Sequence, residues 1–196
     1  MIVAPAQQIV VLGDSLAVSP SRESNFAVEL QARLEKAYPS WIVVNHGVRG
    51  DTTSGGLRRV DYALSGNAGI LILELGANDG LRGVDVPTVE RNLATIIERA
   101  QSRGVHVLLC GMETPPLRGW NYASAFHDLY PRLAARYNMP LVPFLLQGVA
   151  LRGDLNYDGI HPNAAGAKMI AENVWPYLDR LLAGLKTRPA TALRGK

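Results

Sequence analysis

The chain holds a single cysteine, Cys110, among its 196 residues, so no intramolecular disulfide can form, and one thiol without neighbouring partners gives no start to a zinc or iron-sulfur site. Cys110 ends an apolar run and reads as a buried core residue. Histidine is also scarce. None of His46, His106 and His127 shows a ligand spacing such as His-Glu-x-x-His, so they read as structural and no metal site is expected. Long hydrophobic runs are missing as well. Ile70 to Leu75 and Val105 to Cys110 are strand-sized, far below the roughly 18 to 20 residues that span a bilayer. A membrane span is therefore excluded. The N-terminus lacks a charged segment followed by an apolar one, so it is not an intact signal peptide, and the compartment stays open between cytoplasmic and, after removal of a signal, periplasmic or secreted.

Charge of one sign is lacking too. The net charge is +3, but Lys186, Arg188, Arg194 and Lys196 contribute four positive charges, which leaves residues 1–185 near −1. The basic tail has no interleaved aromatics, so nucleic acid is not an expected partner. Residues 186–196 show no apolar stripe and are expected to be disordered, leaving residues 1–185 as one domain. With 47% hydrophobic residues and 19% charged, a chain of this length buries roughly 70% of its unfolded surface.

What is present is an alternation. Apolar, β-branched runs at Ile9 to Leu12, Trp41 to Val44, Ile70 to Leu75, Val105 to Cys110 and Leu141 to Phe144 read as buried strands. Helical stripes lie between them: Phe26, Leu30, Leu34 and Ala37; then Val86, Val89, Leu93, Ile96, Ile97 and Ala100. Further helices are expected over about 122–137 and 163–182. The pattern predicts right-handed βαβ crossovers and a three-layer α/β domain with a five-stranded parallel sheet. Ligands of such sheets bind at the carboxyl ends of the strands.

The chemically able residues follow the strands. Ser15 comes just after the first, in a loop opened by Gly13. A serine hydroxyl needs a base to take its proton and a third group to hold that base in the right tautomer. Asp158 and His161 lie three residues apart around Gly159. Asp158 can fold back to accept a bond from His161 Nδ1, leaving Nε2 for Ser15. Acyl transfer also needs donors for a developing oxyanion, and the Gly50 backbone N–H and the Asn78 side-chain amide can supply them. Each fragment has a plainer reading: Asp14-Ser15 as a cap, Gly50-Asp51-Thr52 as a helix start, Asn78-Asp79-Gly80 and Asp158-Gly159 as turns. Their joint placement at one sheet edge favours the chemical reading. Leu81, Leu117, Trp120 and Ile160 fall in neighbouring loops and could form an apolar rim for an acyl or aryl group.

Ser15, Gly50, Asn78 and Asp158 with His161, in that order, resemble the four blocks of the SGNH (GDSL) hydrolases. The stretches 74–83 and 158–166 are similar to a bacterial branch that includes arylesterases and acyl-CoA thioesterase/lysophospholipases. The likeness covers roughly residues 8–182. It implies a flavodoxin-like sheet, no metal or organic cofactor, a small-molecule ester or thioester substrate, and an oxyanion hole of the Ser15 and Gly50 N–H groups and the Asn78 side chain. The Gly-x-Ser-x-Gly elbow of α/β-hydrolases is absent. After Gly-Asp-Ser-Leu the chain departs from close relatives with Ala17-Val18-Ser19-Pro20-Ser21-Arg22, so their acyl-chain preference does not carry over. A carbohydrate O-deacetylase and a non-catalytic binding module are the rival readings.

Overall fold

The computed structural model describes residues 6–186. Five strands, β1 (Gln7–Gly13), β2 (Trp41–Asn45), β3 (Ala68–Glu74), β4 (His106–Cys110) and β5 (Leu141–Val142), form one parallel sheet in the order β2-β1-β3-β4-β5. This is the doubly wound order whose winding reverses at β1 and β3, and the crevice there is where such sheets bind ligands. Ile70 to Leu73 of β3 are wholly buried, as a central parallel strand covered on both faces requires.

Among the described residues, six α-helices complete the layers: α1 (Phe26–Ala37), α2 (Thr53–Ala63), α3 (Ala77–Arg82), α4 (Val86–Ser102), α5 (Trp120–Arg136) and α6 (Ala164–Lys186). α1 packs on α6, while α2 packs on α4 and α4 on α5, giving one helical layer on each face. Helix starts are set by side-chain caps. Asn25 accepts from the Ala27 and Val28 N–H groups to open α1, and Asp85 accepts from Thr88 N–H at 3.0 Å to open α4. The α4 stripe from Val89 to Ala100 then turns inward.

The structure departs from the sequence expectation in four places. β5 stops at Val142, because Pro143 has no N–H to extend the ladder. Two helices were not expected: α2 follows Gly50-Asp51-Thr52, whose plainer reading as a helix start holds with Thr52 as its cap, and α3 occupies a segment read as a turn or loop. Lys186 is not part of a disordered tail: it ends α6, with Nζ 3.9 Å from the centre of the Tyr38 ring and 3.3 Å from the Ala37 carbonyl oxygen. The expectation of disorder over 187–196 lies outside the described residues. Among the described residues, no helix is long and apolar enough to cross a membrane.

The β1/β3 register fixes the site. Leu12 pairs with Leu73 and Gly13 with Glu74, so the segments leaving these strands, which carry Ser15 and, at the start of α3, Asn78, emerge side by side.

Candidate active site

Ser15 sits at the mouth of a short 3-10 turn, Leu16–Val18, where its side chain makes no cap bond. The turn is closed by its neighbour, since Asp14 Oδ1 accepts the Leu16 N–H at 2.9 Å. Ser19 Oγ donates to the Ser15 carbonyl at 2.7 Å, and Asn45 Nδ2 donates to the Ala17 carbonyl at 2.7 Å. The hydroxyl is thus held on a pinned backbone, 7% exposed.

Across 146 residues, Ser15 Oγ lies 2.9 Å from His161 Nε2. His161 Nδ1 lies 2.7 Å from Asp158 Oδ2. With Asp158 accepting at Nδ1, the imidazole carries its proton there and leaves Nε2 as an acceptor for the Ser15 hydroxyl. Asp158 is itself fixed by the loop, because its Oδ1 accepts the N–H groups of His161 at 2.8 Å and Ile160 at 3.1 Å. The His161 backbone N–H, then its ring, hold the Asp158 carboxyl down at about 2. Gly159 turns the loop at φ +91°, and buried Asn156 braces it by donating to the Val149 and Arg152 carbonyls at 2.8 and 2.7 Å.

Gly50 adopts φ +72°, and Arg82 Nη2 of α3 holds its carbonyl at 2.9 Å. Among the described residues neither the Gly50 nor the Ser15 N–H has an acceptor. The Asn78 amide donates to Asp14 Oδ2 at 2.9 Å, beside the serine. Two further ties lock these loops together. The Thr53 N–H and Oγ1 donate to the Asp79 carboxylate at 2.9 and 2.7 Å, linking the start of α2 to α3. The Arg59 guanidinium pairs with Asp51 at 2.7 Å and donates to the Gly13 carbonyl at 2.8 Å and the His46 carbonyl at 2.5 Å.

The structure therefore joins Ser15, His161 and Asp158 in one hydrogen-bonded chain and sets Gly50 in an adjoining loop and Asn78 in the first turn of α3. Leu81, Leu117 and Trp120 are exposed on the segments after β3 and β4, with Leu117 at 83% and Trp120 at 78%, while Ile160 is half-buried against the core. Sequence reasoning missed Asp14, Arg59, Arg82 and Asn156, each of which has a partner too far along the chain, as much as 64 residues for Asp14, to leave a local pattern. Burial raises the Asp14 carboxyl to about 6 and pushes the Cys110 thiol well up, which leaves that thiol neutral in the core.

A doubly wound α/β sheet with a Ser-His-Asp chain at its switch point defines a class of hydrolase-like proteins. Residues 11–169 match the GDSL-like lipase/acylhydrolase family, and the chain belongs to that family. It is 39% identical over 183 residues to the Pseudomonas aeruginosa protein named esterase TesA, covering 91% of each chain. It is 34% identical to the Escherichia coli thioesterase 1/protease 1/lysophospholipase L1, over 86% of this chain and 82% of that one. The crystal structure of TesA superposes with a TM-score of 0.84 at 38% identity, covering 89% of this chain and 99% of the other.

Proposed function

We propose that this protein is a serine hydrolase of carboxylic esters or thioesters that works through an acyl-enzyme. The observation that carries this reading is the chain from Ser15 Oγ through His161 to Asp158, with links of 2.9 and 2.7 Å. His161 Nε2 takes the Ser15 proton as Oγ attacks the carbonyl carbon. Asp158, held as a carboxylate, stabilises the imidazolium. The N–H groups of Ser15 and Gly50 and the Asn78 amide receive the oxyanion. The imidazolium then gives its proton to the departing alcohol or thiol, and water repeats the steps to release the acid.

Esterase, arylesterase and thioesterase/lysophospholipase relatives support aryl, short- to medium-chain acyl and lysophospholipid esters as the substrate class. Exposed Leu81, Leu117 and Trp120, with Ile160, supply apolar surface for the acyl or aryl group. Treatment with a fluorophosphonate followed by peptide mass spectrometry tests the nucleophile. An adduct on the Ser15 peptide that abolishes turnover is expected, and a folded chain that stays unmodified at Ser15 would contradict the reading.

A further inference from the structure

Glu74 ends β3 wholly buried and takes no part in the acyl-transfer steps. Its Oε2 accepts the Asp14 N–H at 3.1 Å, but its Oε1 has no donor among the described residues. A buried carboxylate oxygen without a donor is costly. The group beside it is a second buried carboxyl, Asp14, and two facing carboxyls in a dry space do not both ionise. The donors decide which one keeps the proton. Both Asp14 oxygens are served, by the Leu16 N–H and by Asn78 Nδ2, whereas Glu74 has one served oxygen and one orphan.

The groups that face this pair do not change the assignment. Burial holds Cys110 on β4 and Tyr130 on α5 neutral, and His161, when it is an imidazolium, favours the charged form of Asp14. A protonated Glu74 turns the orphan into an O–H with Asp14 as its acceptor. Glu74 Oε2 packs closely against the Gly13 backbone, where an added Cβ would collide with it.

We propose that Glu74 is a positioning residue, a neutral acid that donates to the Asp14 carboxylate and so holds the acceptor that aims the Asn78 amide and closes the Ser15 turn. The inference rests on the function proposed above, in which Asn78 serves the oxyanion. Loss of that aim would act on the transition state and leave substrate binding largely alone.

The test compares Glu74→Gln and Glu74→Leu with wild type, each checked for folding by circular dichroism. The amide of Glu74→Gln still offers a donor to Asp14 and an acceptor to its N–H, so kcat should stay near wild type. Glu74→Leu offers neither, and kcat should fall about 10- to 100-fold, the range seen when a hydrogen-bond partner that orients a metal ligand is removed, with KM little changed. A folded Glu74→Leu with wild-type kcat overturns the proposal. Infrared difference spectroscopy near neutral pH decides even if Glu74→Leu does not fold. Wild type minus Glu74→Gln should contain the C=O stretch of a neutral carboxylic acid, and its absence overturns the proposal. A folded wild type that hydrolyses no ester overturns the function reading instead, while the infrared band still decides where the proton lies.

Discussion

Replacing Asn78 with Ala separates the chemical reading of this residue from a purely structural one. Its amide sits on α3 and, among the described residues, makes one hydrogen bond, 2.9 Å to Asp14 Oδ2. Deleting it leaves a buried acceptor one donor short, which costs about 1 to 3 kcal/mol of folding stability. That loss is tolerable for a domain of ordinary stability, so the variant should fold. If the same amide also receives the oxyanion, the barrier rises by about 2.7 to 4 kcal/mol, a 10²- to 10³-fold fall in kcat. The assay is steady-state hydrolysis of a p-nitrophenyl ester beside a urea unfolding curve on the same preparation. A drop in kcat with KM nearly unchanged is expected. A folded variant within a few-fold of wild-type kcat would refute the assignment.

Three further outcomes follow from the same geometry. Asp158→Asn keeps an oxygen for the backbone N–H groups of Ile160 and His161 but turns an amide N–H toward Nδ1, favouring the tautomer that cannot act as base; kcat should fall up to about 10⁴-fold with little change in thermal stability. Asp14 binds its proton more tightly in the folded chain, at about 6 against 3.8, so the folded state loses stability as pH rises from about 4 to about 6. The difference is worth about 3 kcal/mol, and urea midpoints for Asp14→Asn should lack this decline. Gly76 stands at φ +122°, and a Cβ there would run into the Tyr130 hydroxyl that donates to the Leu75 carbonyl at 3.0 Å. Gly76→Ala should therefore cost about 2 to 4 kcal/mol in denaturant unfolding.

All five strands were legible because buried parallel strands read as unbroken apolar runs, the fifth being read two residues too long. The helices α1, α4, α5 and α6 showed their stripes. α2 hid its helical character behind Gly55 and Gly56, poor helix formers whose absence of Cβ is demanded by Asp51 and Leu75 packed against them. α3 is a six-residue turn of helix around Gly80, too short for a periodic signal. The candidate site was legible for a topological reason: Ser15, Gly50, Asp158 and His161 lie in loops, and Asn78 in the first turn of α3, at the carboxyl edge of the sheet. The supports were not. Glu74 reads as the polar end of a strand, and only the register that sets it opposite Gly13 brings it beneath the serine.

The most direct test is hydrolysis of p-nitrophenyl esters from acetate to palmitate by wild type and Ser15→Ala, both confirmed as folded by circular dichroism. Turnover by wild type and a loss of at least about 10³-fold in Ser15→Ala are expected. A folded Ser15→Ala that keeps its activity, or a folded wild type inactive across the series, would contradict the account.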